Sequence, residues 1–114
     1  MSDPISDAAA RKGSAELLIL STLADGEMHG YELSRQIAER TDGLLTFQAS
    51  PLYPLLRRLE ERGLIEGRWR VVTGQRRRRC YRLTARGRTA LKKQRGRWTS
   101  FVRALIRAGG LGNA

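Results

Sequence analysis

Arg76, Arg77, Arg78 and Arg79 stand side by side in this chain. Four adjacent guanidiniums repel one another in isolation but suit a phosphate backbone, whose evenly spaced anions arginines neutralise. Upstream, the stretch ASPLYPLLRRLEERG from Ala49 to Gly63 reads as a short helix. Ser50 suits its N-cap and Pro51 its first helical position, where a missing N–H costs nothing. Leu52, Leu55, Leu56 and Leu59 recur at i, i+3, i+4 and i+7 and face a core. Ser50, Tyr53, Pro54, Arg57 and Arg58 are left on the outside. Tyr53 can hydrogen-bond a phosphate or pack on a thymine methyl, and Arg57 can grip guanine with both nitrogens or hold only a phosphate. Arg58 has an alternative partner in Glu61, three residues on.

Two strands must position the arginines. Leu64 to Val72 alternates Ile65, Gly67, Trp69 and Val71 with Glu66, Arg68, Arg70 and Val72, and Arg79 to Leu83 returns with Tyr81 and Leu83 on one face. This period of two predicts a hairpin with one buried face, Trp69 and Tyr81 within it, and residues 73–78 as its loop. Cys80 is expected to be half-buried. Before the helix of Leu52 come two others: Ser14 to Ala24, apolar on nearly every side, and Gly30 to Thr41, closed by Asp42-Gly43. His29 is a turn residue ahead of the second helix, and Tyr31 at its start either completes the core or reaches a phosphate. Helix, turn, helix, basic hairpin is the order of a winged helix-turn-helix, which reads double-stranded DNA.

The last helix, Ala85 to Ala108 with Thr84 as cap, would be ~36 Å long, more than this small domain can cover. Leu91, Trp98 and Leu105 recur every seven residues with Phe101, Val102 and Ile106 beside them, and Gln94 interrupts the stripe. Gly87 and Gly96 each cost such a helix about 1 kcal/mol, so packing must hold it. A second copy of the chain is the partner this stripe predicts, with Leu17 and Leu20 of the first helix joining the interface.

Charge agrees. The 114 residues carry 22 Lys/Arg and 11 Asp/Glu, a net charge of +11. Up to Glu61 there are 6 cations and 10 acids; from Arg62 onward, 16 cations and only Glu66. A surface serving solubility alone would mix the signs. Cys80 and His29 are the only cysteine and histidine, so a disulfide within the chain, a cysteine cluster and the usual acid–base sets are ruled out. No catalytic residue, metal site or cofactor is expected. The N-terminus lacks the apolar core of a secretory signal, and Ala15 to Ala24 is half the ~20 residues a membrane span needs. A soluble cytoplasmic protein with no membrane partner is the expectation. The runner-up is a small RNA-binding or ribosome-associated protein, which requires aromatic rings on an exposed sheet. A winged helix serving only protein contacts would not need the arginine run.

Four stretches closely resemble the PadR family of bacterial transcriptional regulators. They are MHGYEL from Met28, SPLYPLL from Ser50, RLEERGLI from Arg58 and YRLTARG from Tyr81. The resemblance runs from about Glu16 to Leu105. It implies a mainly α fold with a small β-hairpin, a winged helix-turn-helix followed by a C-terminal dimerisation helix. It also implies a homodimeric repressor on inverted repeats, with Tyr31, Ser50, Tyr53, Pro54, Arg57, Arg58 and Arg76 to Arg79 toward DNA. Leu17, Leu20, Leu91, Trp98, Phe101, Val102 and Leu105 would form the dimer interface. Some members hold flat aromatic compounds there, which makes Trp98, with the neighbouring Gln94, the candidate for a ligand site or for simple packing. The organisation expected is a flexible arm over 1–12, the DNA-binding domain over 13–83, the dimerisation helix over 84–108 and a tail over 109–114.

Overall fold

The computed structural model describes residues 8–47, 49–71, 74 and 76–112. The chain runs α1 (Ala8–Leu23), β1 (Met28–His29), α2 (Gly30–Arg40), α3 (Ala49–Glu61), β2 (Ile65–Val71), β3 (Arg77–Leu83) and α4 (Ala85–Ala108). The order and number of helices match the pattern read from the apolar spacing. Three details differ. α1 begins at Ala8, inside the segment expected to be an arm, of which residues 1–7 lie outside the described ones. α3 begins at Ala49, so Ser50 sits within its first turn and is not its cap, and the Ser50 side chain lies outside the described residues. β1, too short to show a period, adds a third strand in the order β1-β3-β2.

Leucines and isoleucines close one core. Ile19, Leu20 and Leu23 of α1, Leu33 and Ile37 of α2, and Leu52, Leu56 and Leu59 of α3 meet Leu64, Ile65, Tyr81, Leu83 and Leu91. Leu55, expected to join that stripe, is half-buried at its margin. β2 and β3 pair antiparallel from Ile65–Leu83 at the base to Val71–Arg77 at the far end. Burial fades along this ladder, because the helices cover only its base.

Where β3 gives way to α4, four segments converge. The Thr84 hydroxyl accepts from the Gly87 N–H at 2.9 Å, capping α4, and lies 2.7 Å from the Gly63 carbonyl that follows α3. The Thr84 N–H donates to the Leu64 carbonyl at 3.1 Å. A side-chain carbon at position 87 would sit 2.0 Å from that carbonyl oxygen, so only glycine lets α4 pass this close to the start of β2.

α1 and α4 pack against each other, and this corrects part of the expected dimer interface. Leu20 and Leu91 are closed inside the single chain's own core and have no surface left for a partner. Gln94 is buried too: its amide donates to the Glu16 carboxylate on α1, which also takes Arg62 at 2.6 Å. The whole α4 stripe is expected to face a second copy, but its first half serves the fold and only its second half is open. Phe101, Val102, Leu105 and Ile106 are exposed there, beyond Trp98, whose ring meets Phe101 edge-on at 5.8 Å.

The crowded and open glycines of α4 give a test with opposite signs. Gly87→Ala should lower stability by ~1–3 kcal/mol through overpacking against Leu64. Gly96→Ala, with nothing within 4 Å, should raise it by ~0.5–1 kcal/mol through helix propensity alone. Urea midpoints of the two variants check both values.

Candidate nucleic-acid interface

α3 and the hairpin enclose an open groove of about 450 Å3 lined by His29, Gly30, Tyr53, Trp69, Arg76 to Arg79 and Tyr81. α2 forms its end wall. His29 is the N-cap of α2, its Nδ1 accepting from the Glu32 N–H at 3.2 Å, and this fixes where α2 starts. Gly30 follows, and a Cβ there would lie 2.8 Å from the Tyr53 hydroxyl. Its absence lets the phenol of α3 lie across the head of α2. Tyr31 is 64% exposed with its ring parallel to His29 at 6.4 Å, so it does not complete the core.

On α3, Tyr53, Pro54, Arg57 and Arg58 are all exposed, as the apolar stripe predicted. Pro54 lacks the N–H that would reach the Ser50 carbonyl, so this helix start is less tightly bonded than an ordinary one. Arg58 does not pair with Glu61. Among the described residues neither Arg57 nor Arg58 has an ion-pair partner, so both guanidiniums are open to an anion.

The arginine run is organised differently from the loop expected. Arg77, Arg78 and Arg79 belong to β3, and only Arg76 precedes it. Of the predicted loop, Thr73 and Gln75 lie outside the described residues, as does Val72 before it. The alternation of β3 sends the arginines in different directions. Arg79 points toward α3 and donates to Glu60 at 2.9 Å, so it is already paired and is not a free phosphate contact. The other hairpin cations sort likewise. Arg70 pairs with Glu27, and Arg68 and Arg82 hold Glu66 at 3.2 and 3.3 Å. The hydrogen bond from Arg82, then that from Arg68, keeps the Glu66 carboxyl below its ordinary range. Among the described residues Arg76, Arg77 and Arg78 have no ion pair, and they cluster at the far end of the hairpin. The chain's acids thus neutralise the base of the wing and leave its tip cationic.

Trp69 corrects the sequence reading most clearly. Its position on the inward-facing alternation was right, but it is 58% exposed because the ladder has outrun the helices by that rung. The guanidiniums of Arg77 and Arg79 lie 5.7 and 5.8 Å from its ring centre. Tyr81, two rungs nearer the base, is buried as expected, and burial pushes its phenol pKa up. Period-two alternation reports a face and not a depth; the missing signal was strand length against helix length. Cys80 is more deeply buried than expected, and burial raises its thiol pKa, away from the reactive thiolate.

Comparison with known proteins agrees with this geometry. Residues 19–93 match the Transcriptional regulator PadR-like family. Transcriptional regulator Rv3488 of Mycobacterium tuberculosis is 37% identical over 98 residues, covering 84% of this chain and 86% of that protein. A transcriptional regulator from Clostridium thermocellum superposes with a TM-score of 0.78 at 29% identity, over 88% of this chain and 97% of that one. A PadR-like transcriptional regulator from Bacillus cereus gives the same TM-score at 25% identity, over 94% and 100%. With Trp69 exposed, an inward-facing ring no longer argues against RNA binding; the family match carries that distinction instead. No helix among the described residues is long and apolar enough to cross a membrane. A winged helix-turn-helix with an open helix face beside a cationic wing, matched over most of its length, gives the assignment: the chain belongs to the PadR-like family of DNA-binding transcriptional regulators.

Proposed function

We propose that the chain is a homodimeric, sequence-specific repressor acting in the cytoplasm on an inverted-repeat operator. The groove between α3 and the wing carries this reading. A helix face bearing Tyr53, Pro54, Arg57 and Arg58 enters a major groove, with Ser50 in the first turn of the same helix, and Arg76, Arg77 and Arg78 follow the adjacent phosphates. Tyr31, at the exposed start of α2, takes a flanking phosphate. Two copies related by a two-fold axis read two half-sites ~34 Å apart, which is what makes the operator palindromic.

The dimer reading is supported by the apolar second half of α4. Phe101, Val102, Leu105 and Ile106 are exposed together, and Leu17 and Trp98 continue the patch onto α1. An open cleft of about 510 Å3 at this patch is lined by Leu17, Arg95, Trp98, Thr99, Val102 and Arg103. A flat aromatic ligand held between two Trp98 indoles would change the spacing of the recognition helices and release the operator. Gln94, engaged with Glu16, takes no part in that cleft.

Sedimentation equilibrium at micromolar concentration should give twice the chain mass, and Leu105→Asp should give the monomer. The double replacement of Arg76 and Arg77 by Ala should weaken binding to every duplex and flatten the log–log salt dependence by ~1–2. Arg57→Ala should instead cost ~1–3 kcal/mol on the selected site alone; an equal loss on random DNA would reduce Arg57 to a phosphate contact. Finally, a planar dye should quench Trp98 emission and weaken operator binding ~5- to 150-fold. Quenching that survives Trp98→Ala, or operator affinity indifferent to saturating dye, would remove the ligand site and leave the repressor.

A further inference from the structure

The PadR-like assignment leaves one large side chain of the interface without a role. Trp69 presents a half-open indole on the groove wall opposite Tyr53, where no core requires it. An indole is the most expensive side chain to leave in water, and this one is held in place. Arg79, its rung partner on β3, lies over the ring and is fixed by Glu60 near the end of α3. The fit depends on Gly67: a Cβ there would meet the Arg79 guanidinium at 2.9 Å. Glu60, Arg79, Gly67 and Trp69 thus form one latch from the recognition helix to the wing. Arg77 lies over the same ring but has no carboxylate partner among the described residues, so its charge remains available.

We propose that Trp69 contacts DNA directly, packing its indole on deoxyribose, and that the Arg79–Glu60 latch positions it. This rests on the reading that α3 and the wing face one duplex. With α3 in a major groove and the wing over the neighbouring minor groove, the sugar–phosphate strand between them runs through the groove that Trp69 lines. That strand offers two chemistries, anionic phosphate and apolar sugar. The unpaired guanidiniums of Arg76 and Arg77 match the first, and the indole matches the second. Arg79 is then a positioning residue, and part of the wing's affinity comes from apolar contact that salt does not screen.

Salt dependence and Trp69 emission test this with a mixed-sequence duplex about three helical turns long. In a Trp98→Phe background, Trp69 is the sole indole. Its emission should shift when the duplex binds, and its quenching by acrylamide should fall. Trp69→Ala should weaken binding roughly tenfold at every salt concentration, as loss of ~50 Å2 of apolar contact would, with the log–log slope unchanged. Trp69→Phe should retain most of the affinity, and Arg77→Ala should lower the slope by about one. Glu60→Gln discriminates further: removing an acid near DNA should tighten binding by charge alone, whereas loss of the latch should weaken it. The contact is overturned if Trp69 emission and acrylamide access ignore a bound duplex, or if Trp69→Ala binds as well as the parent. It is also overturned if that variant loses slope as Arg77→Ala does, since Trp69 would then only aim a cation. Tighter binding by Glu60→Gln overturns the latch. Failure of the unaltered protein to bind any duplex would instead sink the DNA reading, and the contact with it.

Discussion

The surface proposed to read DNA is positioned by the close approach of α4 to the Leu64 carbonyl. At that junction the end of α3, the start of β2, the end of β3 and the start of α4 meet within one Thr84 side chain and one missing Cβ at Gly87. The hydroxyl of Thr84 serves both the first turn of α4 and the turn after α3, so α3 and α4 share an anchor. Displacing either would break a half-buried cap and force backbone atoms apart, which interiors packed to crystal density resist. From this fixed point the hairpin extends one way as the wing and α4 extends the other.

The wing inherits its character from how far it reaches. Its first rung, Ile65–Leu83, is buried and carries no charge. Beyond that rung, cations up to Arg70 find acids although Cys80 and Tyr81 between them stay buried: Glu66 for Arg68 and Arg82, Glu27 for Arg70, Glu60 for Arg79. Exposed pairs of this kind add little stability. Their consequence here is placement, because they leave the uncompensated charge of the hairpin at its tip. The same logic holds on α3, where Glu60 is occupied while Arg57 and Arg58 face outward unpaired.

Much of this was legible from residue spacing. The leucines at Leu52, Leu56 and Leu59 gave the inner face of α3 and, by subtraction, its outer one; Thr84 and the seven-residue repeat gave α4 its limits. What escaped were matters of depth and partnership. Alternation put Trp69 on the correct face without showing that the helices end before it. The four arginines formed one cationic run on paper, yet the pleat divides them and Glu60, distant in sequence, claims Arg79. Leu91 and Leu105 occupy equivalent heptad positions, but α1 covers only the first of them. Gln94 read as a flaw in a seam, and it is a buried bond to Glu16. Each of these depends on where another element stops, which local periodicity does not encode.

α4 contains seven cations besides Arg95 and no acid along its 24 residues, and the wing tip adds three more without ion pairs among the described residues. In the free protein neighbouring charges within each group repel one another inside the ~10 Å screening length of ordinary buffer. Added salt therefore relaxes the unbound fold, while the same salt competes with the protein for DNA. Ionic strength acts on the two states with opposite sign. The duplex, by supplying the missing counter-charge, is a stabiliser of the folded chain as well as its target.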